Sequence, residues 1–324
     1  MGLFNFRKKK EEKMGDESKY GKAWLLIVGQ KQKELGLQMM RELDQNGFIE
    51  GTVALSMFIN DIEEKKKLLK KAADAGNPEG LWEYCNFLPH SQIPDPNNEN
   101  DALWEKYCLD AAEKGSVDAM NEMGNVFHRR KNYAESMYWY ALANVNDHSN
   151  GEVSMEGISK EWVQAGCPTE YVKGSPNFDE DKFKVSLAYL EVYANKEISL
   201  DPQSAVDMVS KGVPIAAYFA GGMFESMGNE DMAYNMYSTV AMKVKDPHAL
   251  KCTADMHYAA KVSDKDITVA RKAYLLAATA GERSAMFIMG EFFKDRDKYL
   301  AAYWYGVSHT RGYPYSLQRL LQLK

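Results

Sequence analysis

A phrase of eleven residues recurs along this chain and sets what it can fold into. Residues 70–80 read KKAADAGNPEG, residues 109–119 read LDAAEKGSVDA, and residues 275–285 read LLAATAGERSA. Each holds an Ala-Ala pair, two further residues and a Gly, followed at once by the opening of a new segment. Ala is the strongest helix former, and a Gly after the last turn supplies the left-handed residue that closes a helix. Each phrase therefore marks one helix ending and another beginning. The first two copies lie 39 residues apart, about the length of a helical hairpin with its turns. Such a unit cannot bury its apolar face alone and must stack on its neighbours.

The helices that follow these phrases share a second register: a small residue, another small residue five positions on, and a bulky one three further. It reads Gly51, Ser56, Ile59, then Gly80, Cys85, Leu88, then Ala119, Gly124, Phe127. It resumes as Ala216, Gly221, Phe224, then Ala249, Ala254, His257, then Ala285, Gly290, Phe293. Small side chains let a partner helix approach, and the bulky one fills the groove beside the contact. The second helix of each unit carries Ala seven positions before its Ala-Ala slot, as Ala134 before Ala141 and Ala270 before Ala277, with Ala233 and Ala301 in corresponding places. Met137, Met236, Tyr274 and Trp304 follow about one turn later, and Gly76, Gly115, Gly281 and Gly312 close these helices.

Residues arranged this way resemble the Sel1-like branch of the tetratricopeptide superfamily over roughly residues 35–312. Most units lack that family's Gly-x-Gly loop and Leu-Gly pair. The resemblance implies an all-α chain, a right-handed superhelical solenoid of antiparallel helix pairs, with a concave wall lined by the first helix of each pair. It also implies a protein-protein interaction scaffold or adaptor.

Four regions are expected along the chain: a disordered basic leader at 1–18, N-terminal repeats with opening helices at 19–146, an irregular stretch at 147–212, and C-terminal repeats with a capping helix at 213–324. Between 147 and 212 the register is lost, and the stretch is read as a degenerate unit or a linker between two half-solenoids. The loop HSQIPDPNNEN at 90–100, rich in Pro and Asn, is read as a surface insertion.

Composition narrows the function classes. The net charge of -6 argues against a surface built to neutralise phosphates, so no nucleic-acid partner is expected. Cys85, Cys108, Cys167 and Cys252 are scattered without CxxC spacing or a nearby His ligand, so no metal site, cofactor or disulfide framework is expected; Cys85 and Cys108 read as neighbouring reduced core thiols. No apolar run is long enough for a transmembrane or secretory segment, and a cytoplasmic, bacterial-type protein is the simplest reading. Arg7, Lys8, Lys9 and Lys10 beside Leu3, Phe4 and Phe6 leave membrane contact open only through the leader.

Positions on the open side of the first helices give the candidate protein- or peptide-binding residues. They are Glu79, Trp82, Asn86, Asp118, Asn121, Asn125 and His128 in the first half, and Tyr218, Lys251, Asp255, Tyr258, Phe287 and Glu291 in the second. Asn side chains can hydrogen-bond a peptide backbone, and the aromatics can anchor it. Polar residues on an exposed helix face are more often only solvated. The histidines show no HExxH or Ser-His-Asp phrase, so no catalytic residues are named. The expectation is a non-enzymatic scaffold binding a protein or peptide on its concave face. Its rivals are a regulatory or inhibitory subunit at the cytoplasmic membrane surface and a hydrolase-like enzyme with a site in the irregular middle.

Overall fold

The computed structural model describes residues 15–29, 32–166, 178–259 and 267–323. Among the described residues the structure is helical throughout, without a strand, and no helix is long and apolar enough to cross a membrane. Helix pairs follow in order: α1 (Asp16–Val28) with α2 (Lys33–Gln45), α3 (Ile49–Ser56) with α4 (Ile62–Asp74), α5 (Pro78–Cys85) with α6 (Glu99–Glu113), and α7 (Val117–Arg129) with α8 (Tyr133–Val145). After α9 (Gly151–Gln164), α10 (Glu180–Tyr193) and α11 (Pro202–Lys211), the pairs resume. These are α12 (Pro214–Ser226) with α13 (Glu230–Val244), α14 (Pro247–Tyr258) with α15 (Ile267–Ala280), and α16 (Arg283–Phe293) with α17 (Lys298–Thr310), before a short α18 (Ser316–Gln322). Residues 1–14 of the expected leader and Cys167 lie outside the described residues, while the leader's last residues, from Asp16, belong to α1. Helix α1 starts at Asp16, three residues before the expected Lys19, because Asp16 and Glu17 suit the positive end of the helix dipole.

The recurring phrase folds as its chemistry requires. Gly76 takes φ +77°, next to it Asn77 accepts the Gly80 N–H at 2.9 Å as N-cap, and Pro78 occupies the first helical position. Gly115, Gly281 and Gly312 have positive φ at the matching ends. All twelve small positions of the register are buried. A methyl group added at Gly124, Gly221 or Gly290 would stand 2.4 Å from the ring of Tyr140, Tyr237 or Tyr305 on the paired helix, so in each of these pairs glycine permits the approach. Gly222 differs from Gly221 beside it: it is exposed and faces open space, so only one of the two packs. Cys85 and Cys108 are free, buried and in one core cluster.

The array also bends far enough for its ends to meet. Helix α1 lies along α17, and an added methyl at Gly21 would fall 1.9 Å from the Tyr299 carbonyl oxygen. Tyr20 and Trp24 press on Gly306 from the other side, and Trp24 meets the His309 ring edge-on at 5.5 Å. One core cluster accordingly joins Tyr20, Trp24 and Leu43 from the start of the chain to Tyr274, Trp304 and Leu320 from its end. Helix packing then runs without a gap around the molecule, from α1 to α8, across α10 to α12, and on to α17 and back to α1. At the irregular stretch α9 flanks α8, and α11 flanks α12 and α13.

Candidate functional site

Because the array closes, the turns that lead from the second helix of one pair into the next pair converge on its interior. Arg283, 6% exposed at the start of α16, joins three of them. Its guanidinium donates to the carbonyls of Asn146 (2.9 Å) and Asp147 (2.8 Å) after α8, and to those of Arg311 and Gly312 (both 3.3 Å) after α17. Carbonyls at helix C-termini lack partners within their helix and sit at the negative end of the dipole, so a planar cation that forks to four of them is well placed. Lys71 does the same on a smaller scale, donating to the Asp44 carbonyl at 2.6 Å, and Lys243 to that of Ser210.

The convergence leaves a cavity of about 900 Å³, lined from Gly76 to Arg311 by turns, helix starts and one face of α8. Aromatic walls come from Tyr138, Trp139, Tyr218 and His248. The Tyr218 hydroxyl donates to Asp246, whose carboxylate also accepts the Ala249 N–H to cap α14. Burial pushes the Asp246 carboxyl up in spite of these donors. Burial likewise raises Glu282, which caps α16 through the Ala285 N–H and accepts Ser284 Oγ at 2.9 Å. It drives the His248 imidazole down to about 3, helped by Lys251, so the ring is neutral at pH 7. His248 Nδ1 and the Trp139 indole N–H are enclosed without a hydrogen-bond partner.

A second recess of about 160 Å³ adjoins the first, sharing Thr279 and Arg311 with it. Glu79 lines it, 6% exposed and with Ser116 Oγ at 3.4 Å as its hydrogen-bond partner. Desolvation raises its carboxyl to about 7; Arg311 and Arg283 pull the other way, and Asp118 and Glu83 add to the rise.

The sequence-derived candidates are distributed differently. Tyr218 lines the cavity and Glu79 the adjoining recess. Asn125, Asp255 and Glu291 sit one residue after the second small position and share a structural task. They accept the hydroxyls of Tyr140 (2.8 Å), Tyr274 (2.5 Å) and Tyr305 (2.7 Å) from the paired helices. Asn125 also takes up Glu122, Asp255 pairs with Lys251 at 3.0 Å, and Glu291 meets Lys294 and Arg319. Asp118 faces His148 at 3.5 Å and His128 faces Glu161 at 2.9 Å. Asn121 is half-buried with an enclosed, unpartnered Oδ1, and Trp82 and Phe287 are half-buried against the core. Asn86 and Tyr258 are exposed.

Register reasoning did not pick out Glu135, Tyr138, Trp139, Asp246, Glu282 or Arg283. Two signals for them are present in the sequence: an acid placed to cap the next helix, as in Asp246 and Glu282, and the aromatic run Tyr138-Trp139-Tyr140. Among the described residues no group of three or more His, Cys, Asp or Glu is arranged to hold a metal ion.

No family model matches the chain, and no curated protein matches it. Among solved structures it is similar to a protective antigen present in uropathogenic Escherichia coli strains that displays an SLR fold. The identity is 16% and the TM-score 0.38, with 94% of this chain and 62% of that one covered, so the chain spans less than two thirds of that protein's length. It is also similar to a Sel1 repeat protein from Oxalobacter formigenes, at 16% identity and a TM-score of 0.37, covering 93% of this chain and 94% of that one.

Proposed function

We propose that this chain is a non-catalytic scaffold that binds a polypeptide segment on the inner, concave side of its closed array. The observation that carries the proposal is the cavity of about 900 Å³, large enough for several side chains, with aromatic walls and polar groups left unpaired. Concave sites with apolar walls and a few convergent polar groups are where proteins bind ligands. Helix pairs packed through Gly and Ala give such a site rigid walls.

Peptide-display selection against the purified chain tests this. Thr279 and Ala280 are exposed on the cavity wall, at the last turn of α15, so Thr279→Trp with Ala280→Trp fills the space without disturbing the core. Selected peptides should lose about tenfold or more in affinity for the filled variant. Equal affinity for both proteins would place recognition elsewhere and end the proposal.

A further inference from the structure

The charges around the two recesses are unequal. Glu79, Glu135, Asp246 and Glu282 stand on the walls, and Glu50, Glu113 and Asp179 at other points of the lining, making seven carboxylates. Arg283 acts on Glu79 and Lys251 on Glu282 from behind the lining, and facing the carboxylates within it are four bases, Lys114, Lys182, Lys245 and Arg311. Three of these are already engaged within the chain: Lys114 lies 4.0 Å from Asp110, Lys182 sits over the Tyr138 ring at 5.5 Å, and Arg311 donates to the Gly281 carbonyl. Glu79 and Glu282 are 6% and 3% exposed, whereas Glu135, equally buried, already accepts the Asn132 amide at 3.1 Å. A carboxylate held out of water is stabilised when a cation enters beside it.

A second observation bears on what accompanies the cation. Trp139 is 4% exposed, lines the cavity, and keeps an indole N–H with no acceptor. An indole N–H can only donate, so the missing partner is an acceptor such as a carbonyl. The Tyr138 ring on this wall already holds one ammonium, that of Lys182 at 5.5 Å, as aromatic rings attract cations. A simple polyamine supplies cations without carbonyls, and an acidic ligand supplies acceptors while repelling the walls. A peptide bearing basic side chains supplies both.

Resting on the scaffold proposal above, we infer that the polypeptide taken into this cavity is basic, its arginine or lysine side chains facing Glu79, Asp246 and Glu282 and a backbone carbonyl accepting from Trp139.

The test uses the full chain and three labelled peptides of one length and backbone, carrying arginine, glutamine or glutamate at the same positions, read by fluorescence anisotropy. The arginine peptide should bind about tenfold tighter than the glutamine one and weaken as salt is added. Glu79→Gln should weaken it, and benzothienylalanine in place of Trp139, which exchanges the ring N–H for sulfur and keeps the bicyclic shape, should weaken all peptides that bind. Equal binding of all three peptides, abolished by Thr279→Trp with Ala280→Trp, would overturn the basic preference and leave the scaffold reading standing. Binding indifferent to that filled variant would overturn both. Displacement of the arginine peptide by spermine at matched charge, with benzothienylalanine at position 139 without effect, would show a bare cation site and overturn the inference.

Discussion

Two places on this molecule depart from a plain stack of helix pairs, and they depart in opposite ways. At the seam, α1 and α17 come from the two ends of the chain yet approach closely, because Gly21 and Gly306 bring no side chain between the backbones. In the middle, α9 and α11 are joined to their neighbours by the chain itself, but the spacing of small residues has lapsed and they lie outside the main circuit of packing. Proximity in sequence therefore counts for less here than the presence of glycine or alanine at the crossing point. Where α9 does meet the next helix back, it does so through a glycine too: a methyl group at Gly151 would stand 2.7 Å from the Asn144 backbone, against 1.9 Å at Gly21 on the seam.

The largest expected effect comes from closing that door. Gly21→Leu puts a side chain where a methyl group alone would stand 1.9 Å from the Tyr299 carbonyl oxygen, and backbone cannot swing aside as a side-chain tip can. Urea denaturation should show a loss of about 3 kcal/mol or more, the upper end of overpacking costs. A loss below 0.5 kcal/mol, roughly the surface level, would mean that the seam is not a true packing interface. Arg283 links the two places, since its carbonyl partners follow α8 on one side and α17 on the other. Arg283→Met should cost about 2–3 kcal/mol, as expected for charged hydrogen bonds lost from buried carbonyls. Arg283→Lys should recover little, because one ammonium cannot reproduce the fork.

Glu79 gives the seam side of the interior a dependence on pH. Its carboxyl is raised from 4.5 to about 7 on folding, chiefly by burial. Between those values the folded chain holds a proton that the unfolded chain has released, so this group's contribution to stability falls as pH rises through the window and levels off above it. Depressed carboxyls such as Asp118, held down by His148, act with the opposite sign, so the comparison must be with Glu79→Gln. Denaturation at pH 5 should find wild type and variant alike, and at pH 8 the variant ahead by about 2 kcal/mol. Parallel curves at both values would show that Glu79 ionises freely.

The repeat was legible because it is written in local terms. Ala-Ala-x-x-Gly, the twelve small positions and the closing glycines are short-range patterns, and the structure buries every small position the alignment singled out. Closure was not legible. Nothing near Gly21 or Gly306 in the sequence pairs them, and the bend of an array accumulates from small rotations at each contact. The interior residues were missed for the same reason: Arg283 and Glu282 read locally as a helix start, and only closure brings Asn146 and Gly312 to them. The register did find Asn125, Asp255 and Glu291, in positions where a tyrosine of the paired helix reaches each. Tyr140→Phe or Tyr305→Phe should cost about 1 kcal/mol apiece by removing one hydrogen bond. Melting curves unchanged by either substitution would show those hydroxyls bond equally well to water.

The smallest effect is the sharpest contrast with the seam. Gly157 lies within α9, exposed, with nothing within 4 Å of where a methyl group would stand. There glycine serves no approach, and inside a helix it carries an entropic penalty relative to alanine. Gly157→Ala should therefore stabilise the chain by about 0.5–1 kcal/mol, where Gly21→Ala destabilises it, although both replace a helical glycine by the same residue. A loss of stability at Gly157 would mean that α9 packs more closely in solution than its open surroundings allow. The irregular middle would then belong to the same class of contact as the seam, and the contrast between them would dissolve.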